Sequence, residues 1–176
     1  MNYKSSRGGG KNVSGAEAIR SGIATDGGLF VPIDLPQLVM GDIGQNGYIE
    51  LAATILGRVL PDYTKSELVQ CAAAAYAANK FTNPSVVPLV AVGNRHVLEL
   101  WHGPTSAFKD MALQIMPHLM SLALAKTAET SDMLILVATS GDTGKAALEG
   151  FRDVPRTRIL VFYPSEGVSE VQRAQM

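Results

Sequence analysis

The chain has 176 residues, 47% of them apolar and 18% charged, the balance of a soluble globular protein with room for a sizeable core in one domain or one and a half. A formal net charge of −1 removes the electrostatic case for nucleic acid or an anionic membrane as partner. A single cysteine, Cys71, excludes an internal disulfide framework, and no apolar run approaches the ~20 residues of a membrane span, so a reducing, cytoplasmic setting is expected.

In chain order, Lys4 and Arg7 are followed by no apolar stretch, so no secretory signal is expected. Ser6-Arg7-Gly8-Gly9-Gly10 reads as a flexible start, and Ser14-Gly15-Ala16-Glu17 has capping-box spacing that announces a short helix ending near Ser21-Gly22. Asp26-Gly27-Gly28 is a turn into Leu29-Phe30-Val31-Pro32, its glycines allowing two elements to close up. Ile49, Ala52, Ala53, Leu56 and Leu60 share one helical face, predicting a helix from Tyr48 to Leu60 stopped by Pro61. Thr64-Lys65-Ser66-Glu67 is a second capping box, opening an Ala-rich helix to about Asn79 in which Cys71 is a packing residue. Residues 1–83 thus form a mostly helical domain without clustered chemistry.

After Asn83-Pro84 the pattern changes, and residues 84–176 read as part of an open-sheet α/β domain. Strands from Val86 to Val92 and from Arg95 to Trp101 flank Gly93-Asn94, a two-residue hairpin turn. The second strand leads into Leu100-Trp101-His102-Gly103-Pro104-Thr105-Ser106-Ala107-Phe108-Lys109-Asp110. From Thr105 onward, Phe108, Ala112, Ile115, Met116, Leu119 and Leu122 recur at helical spacing, which makes Thr105 or Ser106 the N-cap and puts Lys109 in the first turn. The helix dipole disfavours an ammonium there by roughly 0.3–1 kcal/mol, which suits a Schiff-base or proton-transfer lysine; a solvated lysine paired with a carboxylate is the plainer alternative. Pro117 should kink or divide this helix. His96, His102 and His118 do not have metal-ligand spacing, and no metal site is expected.

Met133 to Ala138 is a continuous apolar run, the pattern of a parallel strand buried on both faces, followed by Thr139-Ser140-Gly141-Asp142-Thr143-Gly144 and a helix. Free N–H groups at a helix start, two glycines and three hydroxyls suit a carboxylate or phosphate, although an ordinary strand-to-helix turn would look the same. Thr139 and Ala146 stand where a phosphate-binding loop of the Walker type needs Gly and Ser or Thr, and the dinucleotide fingerprint is incomplete as well. Arg158 to Pro164 supplies the next strand of a βαβ unit, and Ser169 caps a last helix.

The stretch Leu100 to Gln114 resembles the pyridoxal-phosphate lysine motif of the threonine synthase family. Ala138 to Gly144 is similar to the family's second motif, and Ser6-Arg7-Gly8 with Asp26 to Pro32 to its N-terminal signature. The resemblance spans essentially the whole chain and implies the N-terminal portion of a fold type II pyridoxal-phosphate enzyme, α/β and two-domained, with residues 1–83 as the family's N-terminal domain and 84–176 as part of the cofactor-binding domain.

The resemblance further implies that Lys109 holds pyridoxal 5'-phosphate as a Schiff base and serves as catalytic proton carrier. Asp142 would approach the cofactor's ring hydroxyl, and Thr139, Ser140, Gly141, Asp142 and Thr143 would bind the substrate carboxylate. The implied reaction turns O-phospho-L-homoserine and water into L-threonine and phosphate, the last step of threonine biosynthesis. In the family the loop for the cofactor phosphate and the partner of the pyridine nitrogen lie beyond Met176, so the 176 residues are expected to be inactive alone and to have the remainder of the enzyme, or a second copy of themselves, as partner. Two alternatives are a threonine-synthase-like phospho-lyase that releases a keto acid and a non-catalytic module that binds a partner chain.

Overall fold

The computed structural model describes residues 2–39, 41, 43, 47–139 and 141–176. Its contacts divide the chain into two compact units, Met1–Ala73 with Leu119–Thr130, and Ala74–His118 with Ser131–Met176.

In the first unit, β1 (Tyr3–Ser5) pairs antiparallel with β2 (Phe30–Pro32), Tyr3 opposite Pro32 and Ser5 opposite Phe30. The turn before β2 is built on the Asp26 carboxylate. It accepts the Ser5 hydroxyl at 2.6 Å and the N–H groups of Gly28 and Gly9, each at 2.9 Å. Those bonds, Ser5's foremost, hold its carboxyl below the ordinary carboxylate range. A Cβ on Gly28 would lie 2.0 Å from Ser5 Oγ, so the glycine is what lets the two segments close.

Helix α1 (Gly15–Ser21) opens on its expected box: Ser14 Oγ accepts the Glu17 N–H at 3.2 Å and Glu17 accepts the Ser14 N–H at 2.8 Å. Helix α2 (Tyr48–Val59) stops ahead of Pro61. Helix α3 (Lys65–Ala75) carries the second box, Thr64 with Glu67. The core of this unit gathers Ala53, Leu68, Cys71, Ala72, Ala123 and Leu124. Tyr63 donates to the Leu119 carbonyl at 3.0 Å, and Lys126 lies 2.9 Å from Glu67 and 5.0 Å from the Tyr63 ring centre. The helical reading of this region omitted the β1–β2 pair, whose three-residue strands are too short to show a period.

Helix α3 ends at Ala75, not near Asn79. Tyr76 turns to donate to the Met111 carbonyl at 2.7 Å and meets Phe81 edge-on at 5.8 Å, while the N–H groups of Lys80 and Phe81 both close on the Ala77 carbonyl. Side-chain contacts distant in sequence thus override alanine's helix propensity.

In the second unit, β3 (Leu89–Val92) and β4 (Arg95–Leu98) form the expected hairpin, with Gly93 in the left-handed region at φ +61°. The ladder is shorter than the apolar pattern because Pro88 has no N–H to extend it; its carbonyl accepts the Glu99 N–H at 3.0 Å instead. Helix α4 (Asp110–Leu113) and helix α5 (Met116–Lys126), whose residues from Leu119 on belong to the first unit, are the two pieces into which Pro117 divides the predicted single helix. The break moves the faces: Ile115 and Leu119 are buried, but Phe108 and Met116 are exposed.

Strands β5 (Met133–Ala138) and β6 (Thr157–Phe162) pair in parallel, Met133 opposite Thr157, and α6 (Asp142–Phe151) joins them and packs against both. Helix α7 (Glu170–Ala174) follows, capped by Ser169. The expectation of burial on both faces is corrected here. Burial alternates along both strands, and Leu134, Leu136, Leu160 and Phe162 share an uncovered face, Leu136 at 62% and Phe162 at 57% exposure. α6 covers the other face of this two-stranded sheet. The architecture is that of an α/β fragment.

Candidate active site

Lys109 is placed by the loop before it. Asp110 is fully buried, and its carboxylate takes the Thr105 N–H on Oδ2 at 2.9 Å and the Thr105 hydroxyl on Oδ1 at 2.7 Å. A Cβ on Gly103 would come within 2.6 Å of the same carboxylate, so the loop closes around Asp110 only because residue 103 is glycine. Ser106 stands at φ +55° and the N–H of Asp110 bonds the Ala107 carbonyl, giving tight turns rather than helix from 105 to 109. Lys109 is therefore the N-cap residue of α4, and neither Thr105 nor Ser106 caps it. Among the described residues the Lys109 amine makes no ion pair; it sits 5.2 Å from the centre of the Phe108 ring.

Upstream, His102 is fixed at both ring nitrogens, Nε2 with Glu99 Oε2 at 2.7 Å and Nδ1 with Thr82 Oγ1 at 2.9 Å, and Trp101 stacks on it. These contacts brace the entry to the lysine loop.

The loop after β5 is arranged differently from the expected cluster of free donors. Thr139 Oγ1 accepts the N–H of Gly141 at 3.0 Å and of Gly144 at 3.3 Å, so two of the amides are already satisfied within the loop. The N–H groups of Asp142 and Thr143, in the first turn of α6, have no acceptor within that helix. Ser140 lies outside the described residues. Gly144 permits the tight turn: a Cβ there would lie 2.4 Å from Thr139 Cγ2 and 2.9 Å from Val161 Cγ1.

Asp142 opens α6 with a partly exposed side chain. Its Oδ1 accepts Gln172 Nε2 at 3.0 Å and lies 3.4 Å from Lys145 Nζ. The Gln172 hydrogen bond first, then Lys145, and last the charge of Lys109 hold the carboxyl below its ordinary range. The charge of Lys109, 33 residues earlier by number, thus reaches the carboxylate at the start of α6, though it is the smallest of these influences.

A family model described as threonine synthase N terminus matches residues 2–76. Over the whole chain, the threonine synthase of Schizosaccharomyces pombe is 38% identical and that of Pseudomonas aeruginosa 39%. Pyridoxal-phosphate-bound threonine synthase from Brucella melitensis superposes with a TM-score of 0.90 at 36% identity over 100% of the chain. The chain matches the N-terminal portion of the threonine synthase family. It spans 36% of the Schizosaccharomyces pombe enzyme and 38% of the Pseudomonas aeruginosa one. Human threonine synthase-like 1 is similar as well, 39% identical over 92% of the chain and 23% of its own length. The yeast threonine synthase structure superposes with a TM-score of 0.88, covering 99% of the chain and 38% of that enzyme. The fold is accordingly that of a fold type II fragment.

Beside Asp142, the sequence pattern did not single out Lys145 and Gln172. Lys145 is only 8% exposed, and its amine also meets Gln175 Oε1 at 2.8 Å. Its place one helical turn after Asp142 was the available signal, as was the Ser169-x-x-Gln172 capping-box spacing for Gln172. Elsewhere in the unit, Gln114 is fully buried with its Oε1 accepting from Lys80 Nζ at 3.2 Å. Burial, assisted by Lys80, pushes His118 below the usual histidine range.

Proposed function

We propose that these residues form the lysine-bearing part of a threonine synthase, converting O-phospho-L-homoserine and water to L-threonine and phosphate. The observation that carries the reading is the Lys109 amine, without an ion pair among the described residues, whose charge reaches the carboxylate of Asp142. A primary amine and an acceptor-only carboxylate are the donor set that an aldehyde and a ring hydroxyl call for, so the residues fit pyridoxal 5'-phosphate. Bound there, the cofactor supplies an electron sink for charge developing at Cα and Cβ of the amino acid.

In this reading Lys109 would hold the cofactor through its amine, and the same amine would carry protons to and from Cα and Cβ of the substrate. Asp142, whose carboxyl Gln172 and Lys145 favour in its ionised form, would be the acceptor that orients the cofactor's ring hydroxyl. Thr139, Ser140, Gly141, Asp142 and Thr143 bind the substrate carboxylate, Thr139 by bracing the loop and Thr143 by its first-turn N–H and hydroxyl. The uncovered apolar face of β5 and β6 is the natural seat for the remainder of a longer enzyme or for a second copy, and the 176 residues alone are expected not to turn over.

A second reading is a phospho-lyase releasing a keto acid; threonine synthase-like 1 is among the proteins the chain is similar to. Product analysis on protein containing these residues separates the two. Threonine with an equal amount of phosphate supports the synthase, and a 2-keto acid with phosphate supports the lyase. Turnover by the isolated chain contradicts its expected inactivity.

A further inference from the structure

The carboxylate of Asp142 is engaged unevenly. Both of its neighbours act on Oδ1, Gln172 Nε2 at 3.0 Å and Lys145 Nζ at 3.4 Å, while Oδ2 has no donor among the described residues. Each neighbour is itself fixed. Gln172 Oε1 accepts the N–H and hydroxyl of Ser169 at 3.3 Å, as the capping box of α7 requires. With its oxygen committed to that cap, the amide can turn only its NH₂ toward Asp142. Lys145 is buried, and an ammonium there needs acceptors; it has Gln175 Oε1 at 2.8 Å and Asp142 Oδ1.

Gly141 makes the approach of α7 possible. A Cβ at that position would lie 2.6–2.7 Å from the Gln172 amide, and its φ of +151° is also one that side-chain-bearing residues rarely adopt. The N-terminus of α6, the buried ammonium and the cap of α7 thus converge on one oxygen atom.

Resting on the functional reading above, we propose that Gln172 and Lys145 are positioning residues for Asp142: they pin Oδ1, keep the carboxylate ionised, and leave Oδ2 as the acceptor for the group that Lys109 engages. A neutral donor is needed at 172. Glutamate there would set a second carboxylate against the first and reverse the effect.

The test is a pH titration of the Asp142 side-chain carboxyl by carbon-13 NMR, on the chain without cofactor, in wild type and in Gln172→Leu, Gln172→Glu, Lys145→Met and Lys145→Arg. The midpoint is expected to rise in Gln172→Leu and Lys145→Met, to rise further in Gln172→Glu, and to stay near wild type in Lys145→Arg. An unmoved midpoint in folded Gln172→Leu overturns the proposal. Because α7 contains no buried residue, that variant keeps the experiment decisive even where Lys145→Met does not fold. A second readout is the pyridoxal phosphate concentration that half-saturates borohydride-trappable labelling of Lys109. It should rise about tenfold in Gln172→Leu, the effect of losing one hydrogen bond to a charged group; an equal value overturns the orienting role. Failure of wild type to label at Lys109 while the Asp142 midpoint still moves would strike the functional reading instead.

Discussion

The buried carboxylate of Asp110 accepts both the N–H and the hydroxyl of Thr105, at 2.9 and 2.7 Å, so the residue after Lys109 fastens the loop that presents it. Removing either partner should loosen the lysine as well as the fold. Asp110→Ala strands both Thr105 donors and is expected to cost about 2–4 kcal/mol in urea unfolding, whereas Thr105→Val removes only the hydroxyl and should cost about 1–2 kcal/mol. Both should lower the yield of pyridoxal phosphate trapped at Lys109.

Gly150 packs α6 against α4. A Cβ there would lie 2.0 Å from the Leu113 carbonyl oxygen, and since that atom is backbone it cannot swing aside. Pro117 has no N–H to return to this carbonyl, which leaves it facing α6. Gly150→Ala gains about 1 kcal/mol of helix propensity but meets an overpacking cost of about 1–3 kcal/mol or more. A net loss of stability in denaturant unfolding is expected, and a gain would contradict the close approach.

His118 gives a pH dependence whose sign follows from its lowered pKa. Burial and Lys80 disfavour the imidazolium in the folded state, so the unfolded chain takes up more protons as pH falls below the ordinary histidine value of about 6.5. The contribution is complete above pH 6.5 and is lost as pH falls through the depressed folded value. Urea-unfolding stability should decline from pH 7 toward pH 5, before the carboxylates titrate, and His118→Gln should flatten that decline.

Cys71, in the core of the first unit, has its thiol pushed up to about 11 by burial and then by Glu67. At pH 8 the thiolate fraction is then about 100-fold below that of an unperturbed thiol. Alkylation by iodoacetamide should be correspondingly slow in the folded chain and rapid in denaturant. Fast labelling under native conditions would show that the core opens.

The sequence was most legible where chemistry is local. Capping boxes at Ser14 and Thr64, the Gly93-Asn94 turn, the division at Pro117 and the stop before Pro61 each follow from a few adjacent residues. It was least legible where a distant partner decides. The end of α3 depends on Tyr76 reaching Met111, and the start of α4 on Asp110 turning back to Thr105. The run from Met133 to Ala138 shows apolar side chains on both faces, but a sequence pattern does not show whether both are covered within the same 176 residues. At the candidate site, Lys109 and the loop from Thr139 to Thr143 stood out by motif. Gln172 did not, because its reach to Asp142 is set by the cap of one helix and the absence of a side chain at Gly141.

Lys109 is proposed as the lysine that holds pyridoxal phosphate. Its most direct test is to incubate the chain with pyridoxal phosphate, reduce with borohydride and map the modified peptide. The label should concentrate on Lys109 and be abolished by Lys109→Arg. Labelling spread evenly over the other lysines with none at 109, or unchanged in that variant, would contradict it.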